Sequence, residues 1–90
     1  MNPNDAEIHY IARMSMPHPQ DNKSEVVLVE LAAVFVVWNL WKHQGLKPYF
    51  SNGNYFPKEY PDSLEKAYKC YLSRCRTAIQ AQWAESETPV

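Results

Sequence analysis

The side chains best suited to chemistry are scattered along this 90-residue chain. The histidines and cysteines do not show the spacing of a metal site; they are His9, His18, His43, Cys70 and Cys75. No nucleophile has a recognisable base, and no pair of catalytic carboxylates or glycine-rich phosphate loop is present. The sequence therefore predicts a protein that is not an enzyme and that has no cofactor and no metal. An enzyme would need a pocket that combines Glu30 with a histidine or a cysteine.

The cysteines and the start of the chain predict a cytoplasmic location. Cys70 and Cys75 fall in a segment with helical periodicity, where five positions correspond to roughly 140° of rotation, so they cannot bridge to each other. Two reduced thiols are typical of cytosolic proteins. The N-terminus also lacks the basic and apolar parts of a secretory signal.

Glu30 interrupts the most apolar segment of the chain. If its side chain is buried, it needs a partner, and burial raises the pKa of a carboxyl. The alternative, which we prefer, is that Glu30 faces solvent.

A dense aromatic segment is the most informative feature of the sequence. Five of the chain's twelve aromatic residues lie in residues 48–61, with Tyr-Phe on each side of Asn52-Gly53. Asn-Gly is typical of a two-residue hairpin turn because both residues tolerate positive φ. We therefore expect a small β-hairpin over residues 48–57, which is stable only if one face packs on a helix. The rings either complete the core or present a contact surface, and both interpretations remain open.

The elements that position these residues are predicted to form an all-α fold in one small domain. The central segment is rich in β-branched residues, which favour strands. However, a strand of sixteen residues would be unusually long, and both ends carry helix-capping signals, so we predict a helix, with two shorter strands as the alternative. The predicted segments are a short helix (3–16), a Pro-rich linker (17–22), a central apolar helix (23–44), an aromatic connector (45–61), a C-terminal helix (62–84) that forms a helical hairpin with the central one, and a frayed tail (85–90).

The predicted central helix is apolar on nearly every side. A helix of this kind is surrounded either by a larger protein core or by a membrane. The predicted helix is too short and too polar to span a membrane. Two other helices cannot cover all of it, so we predict a homodimer. The expected dimer interface consists of Val27, Leu31, Val34, Phe35, Trp38 and Trp41.

Charge is unevenly distributed, although the net charge is only −1. Residues 1–38 carry a net charge of −3 and residues 39–80 one of +4. A basic row on the C-terminal helix, which includes Lys66, Lys69 and Arg76, suits a partner with an acidic surface, or it is simply a solvated face. Together with the aromatic connector it gives the predicted partner-binding residues, which are Tyr49, Phe50, Tyr55, Phe56, Tyr60, Lys58, Lys66, Lys69 and Arg76.

These features favour a non-catalytic protein–protein interaction module that occupies an acidic or apolar surface of another protein. On the general prior that many compact orphan chains are phage or plasmid inhibitors, the sequence is also compatible with an anti-CRISPR-like inhibitor. One alternative is an accessory protein that binds single-stranded nucleic acid through stacked rings and cations. The low net charge provides no global field to attract nucleic acid or an anionic membrane, so we disfavour a nucleic-acid partner and expect no membrane partner. A second alternative is a structural or assembly protein that acts as a homo-oligomer.

Overall fold

A computed structural model describes residues 8–15, 24–42 and 45–86, and within them the chain forms one antiparallel sheet and one helix. The strands are β1 (His9–Ser15), β2 (Glu25–Glu30), β3 (Val34–Trp41) and β4 (Tyr49–Pro57), and the helix is α1 (Ser63–Ser86). The strands lie in the order β1-β2-β3-β4. The prediction of an all-α fold with a helical hairpin is therefore wrong.

Residues 25–41 of the predicted central helix (23–44) instead form the β2–β3 hairpin, and residues 23, 43 and 44 lie outside the described residues. Glu25 pairs with Leu40 at one end of the hairpin and Glu30 with Phe35 at the other. The Leu31 N–H donates to the Val34 carbonyl over 2.9 Å and closes the turn. The β-branched residues follow their strand preference. The alternative of two shorter strands is the correct one.

Both faces of the hairpin are buried. On the helix face, Val26, Leu28 and Val37 pack against α1 through Ala67 and Tyr71. On the opposite face a second cluster contains Val27, Val29, Val36, Trp38 and Leu40. Alternate residues of a strand point to opposite faces, so a continuous apolar run can supply both clusters.

The predicted N-terminal helix (3–16) is also wrong where the structure describes it. His9–Ser15 is strand β1, which pairs with β2 and carries an irregularity at Ile11, between the pairs Tyr10–Val29 and Ala12–Leu28. Residues 3–7 and 16 of this predicted helix, the Pro-rich linker (17–22) and residues 87–90 of the predicted tail lie outside the described residues. Residues 85 and 86 belong to α1.

The C-terminal helix is present, and its start follows the sequence signals. The Asp62 carbonyl accepts the Lys66 N–H over 3.0 Å, which makes Asp62 the residue at the N-terminal cap. Ser63 is buried and its hydroxyl donates to the Pro57 carbonyl, which fixes the helix to the end of β4. α1 then packs across β2, β3 and β4. Within the described part of the chain, no helix is both long and apolar enough to cross a membrane.

The fully buried Leu28 tests the sheet–helix core. We expect Leu28→Ala to lower the free energy of unfolding by about 2–5 kcal/mol, because it leaves a cavity between β2 and α1. Leu46→Ala is the matched control, since Leu46 is 65% exposed and its truncation should change stability by less than about 0.5 kcal/mol. Urea titration followed by circular dichroism measures both, and equal losses would contradict this core.

Candidate functional site

The aromatic segment forms strand β4 rather than a β-hairpin, so the predicted turn at residues 48–57 is wrong. Asn52 does adopt positive φ, at 56°. This backbone conformation makes a bulge, because the register shifts between the pairs Val37–Asn54 and Asn39–Ser51. The expected positive φ thus occurs at Asn52 but not at Gly53, and the chain uses it to bend a strand.

Gly53 allows the aromatic rings around the bulge to approach closely. A Cβ at this position would lie 2.7 Å from both the Trp38 Nε1 and the Tyr55 hydroxyl. The Trp38 ring stacks on Phe50 at 4.5 Å and meets the edge of Tyr55 at 6.1 Å. Phe50 therefore belongs to the packed opposite face, whereas Tyr55 remains 60% exposed.

An open cavity of about 360 Å³ lies where β4 leads into α1. Its walls are mainly aromatic rings and a proline, with Lys66 and Asp62 as the charged residues; the lining is Tyr55, Phe56, Pro57, Tyr60, Asp62, Ser63 and Lys66. Two of the rings, Tyr55 and Tyr60, are 60% and 57% exposed. We call this lining set the β4–α1 cavity. Its apolar walls with a few polar groups are typical of a site that accepts a side chain or a small ligand.

The structure brings four of the predicted partner-binding residues together at this cavity, namely Tyr55, Phe56, Tyr60 and Lys66. The others lie elsewhere. Phe50 is in the opposite-face cluster, and the Lys58 ammonium is 2.6 Å from a carboxylate oxygen of Glu30. Tyr49 is at the start of β4, and Lys69 and Arg76 are exposed on α1.

Three residues of the cavity were not identified from the sequence: Pro57, Asp62 and Ser63. Each has a conventional local role, as a strand end or a helix start. The Ser63 hydroxyl and the Tyr60 N–H both donate to the Pro57 carbonyl, and the Ser63 N–H donates to the Tyr60 carbonyl. These bonds bring the end of the strand and the start of the helix together.

The basic row on α1 is largely paired. Lys66 lies 3.2 Å from Asp62 and Lys69 lies 3.4 Å from Glu65, each one helical turn away. Arg74 points to the sheet, where it donates to the side-chain oxygens of Asn39 and Asn54. Arg76 is exposed and has no ion pair within the described residues. The row is therefore not a continuous positive surface.

The predicted dimer-interface residues do not form one surface. The prediction grouped these residues by helical spacing. In the sheet, the opposite-face cluster includes four of them, Val27, Leu31, Val34 and Trp38, whereas Phe35 packs against the helix-face cluster. Val27 and Trp38 are buried. The Trp41 indole N–H donates to the Ser51 hydroxyl. The apolar helix that motivated this interface is absent.

Two glutamates of β2 are held by cations. Glu30 lies 2.6 Å from the Lys58 ammonium and 3.0 Å from His9 Nδ1, and these bonds, Lys58 first, lower the pKa of its carboxyl. Glu30 is thus partly exposed and paired, and its pKa is not raised.

Glu25 is buried and forms the stronger cluster. Arg13 donates from Nε and Nη2 to its two oxygens, each over 2.8 Å, and Lys42 donates over 2.6 Å. The bonds from Arg13, followed by Lys42, outweigh burial and lower the Glu25 pKa to about 2. Both of its carboxylate oxygens accept hydrogen bonds from cations, so Glu25 anchors β2 to Arg13 of β1 and to Lys42 just after β3.

The two cysteines of α1 differ in exposure. Cys70 and Cys75 are both free; Cys70 is half-buried, whereas Cys75 is buried in the helix-face cluster on the sheet side of α1. Burial raises the pKa of the Cys75 thiol and that of the neighbouring Tyr71. No three His, Cys, Asp or Glu side chains within the described ranges could hold a metal ion.

Comparison of the chain with protein-family models, curated proteins and solved structures finds no match.

Gly53→Ala tests the close packing that positions Tyr55. The added Cβ must displace Trp38 and Tyr55, so we expect the free energy of unfolding to fall by about 1–3 kcal/mol. We also expect a shift of the Trp38 indole N–H resonance. Gly45→Ala is the comparison, since its Cβ meets nothing within 4 Å although its φ of +83° also carries strain. Loss of stability without any change at Trp38 would contradict this packing.

Glu25→Gln tests the ion-pair cluster through pH. Because folding lowers the pKa of Glu25 from 4.5 to about 2, its contribution is complete above the unfolded-state pKa and is lost as pH falls toward 2. The wild-type free energy of unfolding should therefore fall by about 3 kcal/mol more than that of Glu25→Gln between about pH 5 and about pH 2. Glu30→Gln is the control: its side chain is 36% exposed, against 10% for Glu25, so its effect should be smaller. Parallel curves for wild type and Glu25→Gln would contradict the assignment.

Proposed function

We propose that this chain is a non-catalytic protein-binding module whose contact surface is the β4–α1 cavity. The observation that carries the proposal is the exposure of Tyr55 and Tyr60 at the walls of this cavity. Exposed tyrosines beside an apolar depression are typical of interface hot spots, because they bury a large area and retain a hydroxyl for hydrogen bonding.

The neighbouring edge of the sheet contributes less to binding. β4 lies at one edge of the described sheet, so alternate backbone groups along it are directed away from β3. The bulge at Asn52 and the proline at position 57 interrupt this edge, as in edge strands that are protected against strand addition. We therefore infer that a partner binds through a side chain inserted in the cavity and not by extending the sheet.

The chemistry of the cavity indicates the nature of that side chain. Aromatic walls favour an aliphatic or aromatic anchor from the partner. Lys66 and Asp62 form an exposed pair at 3.2 Å, and they can offer one cation and one acceptor to polar groups around the anchor. The expected partner surface is apolar at its centre and polar at its rim.

The remaining functional expectations extend this proposal. A module that occupies another protein's surface can act as an inhibitor, and a role as a phage- or plasmid-type, anti-CRISPR-like inhibitor that blocks another protein complex remains a prediction. A cytoplasmic location is part of the same proposal, supported by the free thiols of Cys70 and Cys75.

Photo-cross-linking tests the proposed surface. A benzophenone amino acid placed at position 60 should capture one predominant protein in native cells, because position 60 borders the cavity. The same amino acid at position 11, on the other sheet edge and also exposed, should not capture it. With the captured protein purified, Tyr60→Ala and Tyr55→Ala should each raise Kd by at least about 10-fold in calorimetry.

Ile11→Ala is the matched control and should leave Kd within about 2-fold of wild type. Equal capture at both positions, or unchanged binding by the two tyrosine variants with intact circular dichroism, would contradict the proposal. The nucleic-acid alternative is tested with labelled single-stranded oligonucleotides. A salt-dependent shift that Lys66→Glu and Lys69→Glu abolish would favour that alternative instead.

A further inference from the structure

The side of α1 away from β4 carries a row of exposed apolar side chains. Leu64, Tyr68, Leu72 and Ile79 are 46%, 46%, 47% and 41% exposed. At about 100° per residue they fall within roughly 80° of one another around the helix. We call these four residues the α1 stripe. It borders the buried row of α1 and does not overlap the residues that line the β4–α1 cavity.

The orientation of the helix places the stripe on the flank opposite β4. Cys70 and Arg74 mark the β4 flank, because both contact the Asn54 side chain. Counted at about 100° per residue, every residue of the stripe except Leu64 lies well over 90° from Arg74 around the helix. Apolar residues at spacings of four and seven on one side of a helix are typical of helix–helix packing.

Two charged residues border the stripe on its solvent side. Glu65 and Arg76 are separated by only roughly 20° around the helix. Glu65 contacts Lys69 at 3.4 Å in an exposed pair, and Arg76 has no ion pair in the described part of the chain. The acid thus lies near the N-terminal end of the stripe and the base near its C-terminal end.

The α1 stripe and its two bordering charges are complementary to the same surface of a second copy when the two helices are antiparallel. The midpoint of the stripe falls between Tyr71 and Leu72, and the midpoint of Glu65 and Arg76 falls between Cys70 and Tyr71. A two-fold axis near these midpoints would pack the two stripes antiparallel and would bring Glu65 of each copy to Arg76 of the other. A parallel arrangement would instead place like charges together, which is unfavourable.

We propose that the chain forms a two-fold symmetric dimer in which the α1 stripes of two copies pack antiparallel, bordered by two Glu65–Arg76 ion pairs. The occupant of the stripe is therefore a second copy of the chain. This dimer differs from the interface predicted from the sequence, and it does not depend on the partner-binding role of the β4–α1 cavity. A stripe of four side chains is small, so the dimer is weak, in the range of interfaces below about 1,200 Å².

Sedimentation equilibrium of the full chain tests the dimer over about 1 µM to about 1 mM. Wild type should change from monomer to dimer within this range, and Leu72→Glu should raise the dimerisation Kd by at least about 30-fold. Ser73→Glu is the matched control, since it adds the same charge on an adjacent, exposed position outside the stripe. It should leave Kd within about 3-fold of wild type.

Charge exchange then tests the orientation without altering the apolar stripe. Glu65→Arg and Arg76→Glu should each raise Kd by about 3- to 10-fold, and the double variant should restore it to within about 3-fold of wild type. Circular dichroism verifies that each variant stays helical. A monomer at every concentration, an unchanged Kd in Leu72→Glu, or a double variant no better than the single ones would overturn the proposal.

Discussion

Four consecutive residues of β2, Val26 to Val29, are fully buried, and this double-sided burial is the constraint on which the rest of the structure depends. Because side chains alternate across a strand, both faces of the sheet centre must be covered. α1 covers one face through Ala67 and Tyr71, and the rings around Trp38 pack on the other. The bulge in β4 brings these rings together, and Tyr55 is left at the margin of the packed cluster, exposed beside the cavity.

Ion pairs at the two ends of β2 complement this apolar centre. Glu25 at one end pairs with Arg13 and Lys42, and Glu30 at the other pairs with Lys58. The acidic first part of the chain and its basic second part are thereby joined within the sheet. Lys42 and Lys58 of the basic part are thus paired within the chain, and they are not free cations for an acidic partner.

The helix α1 could be predicted from the sequence because its signals are local. Regular spacing and the Pro61-Asp62 start identified α1. The β2–β3 hairpin could not be predicted with the same rules, since its turn uses Leu31, Ala32 and Ala33, none of which is a typical turn residue. The β-branched composition of this segment was the correct signal for strands, but the segment has no turn signal that would divide it into two.

At Asn52-Gly53 the sequence carries a turn signal, but the structure has no turn there. A residue with positive φ fits a bulge as well as a turn. The cavity could be predicted only in part: its lining falls within residues 55–66, where the hydrogen bonds of Tyr60 and Ser63 to the Pro57 carbonyl fold the end of β4 against the start of α1.

The position of α1 separates two surfaces that do not compete. The β4 flank of the helix carries Lys66 beside the cavity, and the stripe from Leu64 to Ile79 follows the other flank. Self-association through the stripe would leave both cavities of a dimer accessible. Two linked cavities raise the effective concentration for a partner that is itself repeated or dimeric, so a weak single contact becomes a strong combined one. A small chain gains most from such multivalency, so under the two proposals the α1 stripe would contribute to binding together with Tyr55 and Tyr60 of the β4–α1 cavity.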